Sequence, residues 1–156
     1  MDASAREALR SLLDTERVLT VAVVVDGEPV AALLPFAASP DYTALYVQAS
    51  GLARHARGLR DGATVGLVVH VPATPDRHAM QLPRLSVSAA VRTIDRDSPA
   101  FATATERLAA HFPAMATTLT LGDFTLYALA LGRGRYVEGF ARALNVGPET
   151  FAALVP

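Results

Sequence analysis

The sequence predicts a mainly β domain with flanking helices (α+β): an antiparallel barrel with its helices packed outside. Short runs dense in apolar and β-branched residues recur about six or seven times along the 156 residues, and three segments of helical periodicity interrupt them. Successive strands are joined by turn sequences more often than by helices, so hairpins outnumber the crossovers that a parallel, doubly wound sheet requires. The length suits one core, and no repeat, low-complexity tract or linker divides residues 1–156.

The elements follow in order. Ser4 and Glu7 have capping-box spacing before Ala8, Leu9, Leu12 and Leu13, which predicts a helix over residues 4–14. Residues 18–25 are rich in valine, Asp26-Gly27 is a two-residue hairpin signal, and residues 28–36 form the returning strand with Pro29 and Pro35 near its ends. Turn chemistry at residues 38–41 precedes a third strand over 44–49. Residues 51–60 then take a helical period, with Leu52, Ala56 and Leu59 on one face, Arg54, His55, Arg57 and Arg60 around the other, and a stop at Asp61-Gly62. A strand over 63–71 leads into a proline-bearing loop, residues 72–83, long enough to suggest a role at a site or interface. After a strand over 85–94, Ser98-Pro99 opens a helix that ends before Phe112-Pro113, with His111 placed as a cation in its last turn. Residues 125–131 and 135–137 read as a final hairpin around Gly132 to Gly134. The barrel strands thus fall within 17–137, and 138–156 is an irregular tail with a short helix after Pro148.

Composition narrows the function. Apolar residues make up 51% and charged residues only 19%, below the roughly 25% usual for soluble domains, which predicts a surface hidden in a homodimer. A net charge of −1 with interspersed signs gives no field for nucleic acid. The absence of cysteine excludes disulfides, thiolate metal sites and thiol nucleophiles, and fits a reducing compartment. The first residues lack the form of a secretion signal and no apolar run could cross a bilayer, so the expected location is cytoplasmic with no membrane partner.

No G-x-S-x-G turn, dinucleotide glycine signature or phosphate-binding P-loop occurs, and no catalytic residue is assigned. The histidines, at 55, 70, 78 and 111, show no zinc spacing and no C-x-x-C-H haem attachment, so no metal-ligand set is predicted. The informative stretch is YVQASGLARHARGL, residues 46–59, where a strand delivers Gln48 and Ser50 to a basic helix start. Free backbone N–H groups, the Ser50 hydroxyl and the guanidinium of Arg54 or Arg57 together suit a phosphate. A merely solvated basic face is the competing reading.

Within that stretch, S-G-L-A-R-H-A-R-G-L resembles the S-x-L-A-x-H-T-x-N-L segment of the pyridoxamine 5'-phosphate oxidase-like FMN-binding split-barrel family, especially its haem-utilisation branch. P-R-L-S-V-S-A at 83–89 resembles that branch's P-R-L-T-L-x-G. D-F-T-L-Y-A-L and R-Y-V-E-G-F-A-R-A, within 123–143, resemble its D-F-x-L-Y-x-L and R-W-x-G-G-F-G-x-A. The resemblance implies a six-stranded antiparallel split β-barrel and a homodimer with cofactor sites across its interface. It implies FMN as cofactor, in a flavoprotein of oxidoreductase type. Ser50, Arg54 and His55 fall on the family's phosphate-binding stretch, with Arg57 close by and Gln48 leading in. Arg84 falls where relatives place a polar side chain against the flavin, and Arg135, Tyr136 and Arg142 fall on the stretch offered by the second subunit. Ala56 and Gly58 replace the family's Thr and Asn, which removes two donors at about 1 kcal/mol each. A haem protein using the same groove, and a cofactor-free dimeric ligand-binding module, are the alternative readings.

Overall fold

A computed structural model describes residues 1–155, with residue 120 described in its backbone only. Its elements are α1 (Ala3–Thr15), β1 (Val18–Val25), β2 (Glu28–Ala38), β3 (Ala44–Ser50), β4 (Thr64–His70), β5 (Arg84–Thr93), α2 (Pro99–His111), β6 (Phe124–Gly139), β7 (Arg142–Val146) and α3 (Pro148–Ala152). The strands are hydrogen-bonded in the order β3-β2-β1-β4-β5-β6-β7, and β3 also pairs with β6. That last pairing closes six antiparallel strands into the expected barrel and leaves β7 as an extra strand on β6.

Alternation along each strand builds the interior. Leu19, Val21, Val23 and Val25 of β1 face inward with Val65, Leu67 and Val69 of β4, and with Leu85, Val87, Ala89 and Val91 of β5. Asp26 and Gly27 both have positive φ, 55° and 81°, as a two-residue type I′ hairpin requires. Helix α1 adds buried Leu9, Leu12 and Leu13 to the barrel core. Its cap is Asp2 rather than Ser4, with Asp2 Oδ1 accepting from the Ala5 N–H at 2.8 Å. Helix α2 has Pro99 in its first turn as expected, and it buries Ala104 and Leu108 in a separate cluster with Ala37, Ile94, Leu119 and Leu126.

Three sequence expectations are corrected. Residues 51–60 form no α-helix but a single 3-10 turn, Arg54–Gly58: Ala56 and Leu59 pack on the barrel core, but Leu52, the first member of the anticipated apolar face, is 90% exposed, and so short a segment does not sustain a helix. Residues 132–134 are not a hairpin turn, since β6 runs through them without a break. Their glycines instead let β5 approach, for a Cβ on Gly134 would lie 2.2 Å from the Ser86 carbonyl oxygen, beside a register shift between Val87 and Ala89. Residues 138–155 do not form an irregular tail. A tight turn at Phe140-Ala141, with Ala141 at φ 59°, reverses β6 into β7, and α3 sets Phe151 into the core.

Candidate functional site

The predicted site residues fall into two groups. At the end of β3, Gln48 is buried, its Nε2 donates to the Thr118 carbonyl at 2.9 Å, and its Oε1 accepts from Thr118 Oγ1 at 3.3 Å. Its amide is thereby committed to the chain segment that covers it. Ser50 Oγ donates to Asp123 Oδ2 at 3.2 Å and accepts from the Leu52 N–H. Arg54 pairs with Glu28 and Arg57 with Asp26, each at 2.6 Å, which ties the 3-10 turn to the β1–β2 hairpin. His55 is half-buried with an unpartnered Nε2, and burial pushes its pKa below the usual value. The Ser50 hydroxyl and the Arg54 and Arg57 guanidinium groups therefore each face a carboxylate.

The second group lies on the outer face of β5, β6 and β7. Ser86 stands opposite Arg135 and Arg84 opposite Val137, while Arg135 stands opposite Asn145 on β7. Arg84 Nη1 donates to the carbonyls of Leu82 and Met80 at 3.1 and 3.3 Å, and Arg135 Nη1 donates to Asn145 Oδ1 at 3.0 Å. Arg142 pairs with Asp2 at 3.2 Å and Glu138 at 3.1 Å. These three arginines line an open hollow of about 550 Å³ with Met80, Ser86 and Val137. Tyr136, one residue from Arg135, has the opposite strand parity: it is 1% exposed inside the barrel and lines none of that hollow.

Ser50 pairs with Phe124 at the start of β6, whereas Arg84 pairs with Val137 thirteen residues further along. At about 3.3 Å per residue the two groups are roughly 40 Å apart along that strand. One chain does not join them.

Reasoning by motif missed a third feature, the face between β2 and β5. The outward positions Val18, Thr20, Ala22 and Val24 of β1 and Thr64, Gly66 and Val68 of β4 carry no charge. Leu33 of β2 is 66% exposed beside them. A hollow of about 510 Å³ runs over Thr20, Ala22, Gly66, Ser86 and Ser88, and it shares Ser86 with the arginine hollow. It also shares Thr20 and Val68 with a groove of about 260 Å³ beside Leu33 and His70. The signal was available: on a solvated sheet face, alternate positions are ordinarily polar or charged.

His111 does not behave as the expected cation. Burial, with Arg107 and Arg17 nearby, lowers its pKa and favours the neutral ring. Among the described residues, no three His, Asp or Glu side chains group around a possible metal ion, and no helix is long and apolar enough to cross a membrane.

No family model matches the chain. It is 25% identical over 149 residues to heme oxygenase HutZ of Vibrio cholerae, covering 94% of this chain and 84% of HutZ. The crystal structure of HutZ, described as a heme storage protein, superposes with a TM-score of 0.73 at 24% identity, over 82% of this chain and 90% of that one. A heme-binding protein from Mycobacterium smegmatis superposes with a TM-score of 0.85 at 21% identity over 98% of this chain, which spans only 62% of that protein's length. A FAD- and heme-binding protein from the same organism gives 0.62 at 24% identity, over 95% and 77%. These relatives overturn the expected FMN-binding oxidoreductase, because the names they carry are those of haem proteins. The chain has the antiparallel split-barrel fold that these haem proteins share.

Proposed function

We propose that this protein binds haem, as a cytoplasmic homodimer. The observation that carries the reading is the uncharged outer face of β1 and β4 running without interruption into the hollow lined by Arg84, Arg135 and Arg142. Haem is an apolar disc with two carboxylates on one edge. An uncharged sheet face suits the disc, and guanidinium groups suit the carboxylates through charge-assisted hydrogen bonds. When bound, haem supplies an iron centre whose chemistry the surrounding protein tunes. Arg84 and Arg135 hold its propionates in this reading, and Arg142 flanks them. The similarity to HutZ supports the same ligand.

A second copy of the chain covers the small-residue part of the face, Ala22, Gly66 and Ser88, where backbones can approach closely. That copy brings Ser50, Arg54, His55 and Arg57 toward the groove, while Gln48 and Tyr136 hold up its walls. The low charged fraction of the sequence and the exposure of Leu33 and Val24, 66% and 59%, support this.

Titration of haemin into the purified protein is expected to give a saturable Soret band. Changing both Arg84 and Arg135 to Ala weakens the affinity by about tenfold or more, as loss of charge-assisted bonds implies. No Soret band with the wild type sinks the haem reading. Sedimentation velocity showing only monomer at micromolar concentration removes the dimer.

A further inference from the structure

We propose that His70 is the axial ligand to the iron of haem bound on this face, an assignment that rests on the haem reading above. His70 ends β4 with its side chain exposed on the outer surface, and its Nδ1 lies 2.7 Å from the Val71 carbonyl oxygen. A carbonyl only accepts, so Nδ1 carries the proton and Nε2 keeps a bare lone pair. An imidazole whose far N–H is held by a carbonyl, leaving the near nitrogen free, is the arrangement that orients a metal-ligating histidine and raises its basicity.

The surroundings fit the rest of the ligand. Val18, Thr20, Leu33, Val68 and Pro72 line the groove beside His70, together with Glu16. Leu33 is 66% and Val18 42% exposed, an apolar wall open to solvent. His70 stands directly opposite Arg84 in the β4–β5 ladder, so both side chains leave the same face of the sheet. Ligand nitrogen, apolar wall and cation therefore adjoin one another.

The other histidines lack this combination. Nδ1 of His78 accepts the Met80 N–H at 3.1 Å, which spends its lone pair and puts the ring proton on Nε2. The unpartnered nitrogens, Nε2 of His55 and Nδ1 of His111, are buried. Iron in a porphyrin can be held by a single protein ligand, so the absence of a three-ligand cluster among the described residues does not bear on it.

The test compares haemin-loaded wild type with His70→Ala, and with His78→Ala and His111→Gln, by absorption and by resonance Raman of the ferrous form. Circular dichroism melts establish that each variant is folded. In His70→Ala the Soret band shifts, the iron–histidine vibration disappears, and haemin affinity falls about tenfold or more; added imidazole restores the wild-type spectrum. His78→Ala and His111→Gln remain like wild type. A His70→Ala spectrum that superimposes on wild type overturns the assignment and leaves the haem reading standing. A wild type with no Soret band overturns both.

Discussion

At Gly134 a missing side chain decides the path of two strands. A Cβ there would meet the Ser86 carbonyl oxygen at 2.2 Å and Val87 Cα at 2.5 Å, both backbone atoms that cannot rotate away. Gly134→Ala is therefore expected to destabilise the fold by about 3 kcal/mol or more. Gly27→Ala meets nothing within 4 Å and carries only the strain of φ 81°, about 1 kcal/mol. Urea denaturation of the two variants checks the contrast; equal losses would contradict it. A second residue-scale effect depends on pH. Burial and the neighbouring Arg107 and Arg17 hold the folded-state pKa of His111 below its usual value of 6.5, and burial alone does the same for His55. Below about pH 6.5 the unfolded chain takes up these protons while the folded chain resists them until a lower pH. The stability present above pH 6.5 is consequently lost as pH falls through the folded values. Urea melts between pH 7 and 5 should show this decline, and His111→Gln should flatten it; an unchanged slope would place its source elsewhere.

At the scale of elements, α3 hangs on one side chain. It spans only Pro148–Ala152, too short to hold itself together, and Phe151 is fully buried in the barrel core. Phe151→Ala should cost about 3–5 kcal/mol. Hydrogen exchange should show the β6–β7 amides losing protection ahead of β1; uniform loss would mean that α3 does not anchor this corner. The same scale explains what the sequence revealed. The β1–β2 hairpin was legible because Asp26-Gly27 admits few other conformations, and α2 because Ser98-Pro99 marks a helix start. Gly132 and Gly134 misled because a glycine needed for a turn and one needed for a bulge look alike until the neighbouring strand is known. Residues 51–60 misled because helical spacing was present but nothing packs on Leu52. Strand β7 was missed because its five residues, RALNV, are too few to establish a period. Arg84 and Arg135, singled out by their motifs, occupy outward positions, whereas Tyr136 differs from Arg135 by one step of strand parity and turns inward.

Taken whole, the molecule sets a closed, well-filled barrel behind an outer surface graded from uncharged on β1 and β4 to cationic on β5 and β6. The ligand proposed for it has the same gradient, and its two groups of basic residues lie roughly 40 Å apart along β6. Among the described strands, β6 alone joins β3 to β5, and it begins at residue 124. During synthesis the first five strands can emerge and pair, yet both outer edges, β3 and β5, keep their N–H and C=O groups unpaired until the final stave leaves the ribosome. A nascent chain stalled before that point is an open sheet with two adhesive edges, so the interval before β6 emerges is the one in which this protein most needs protection from its neighbours.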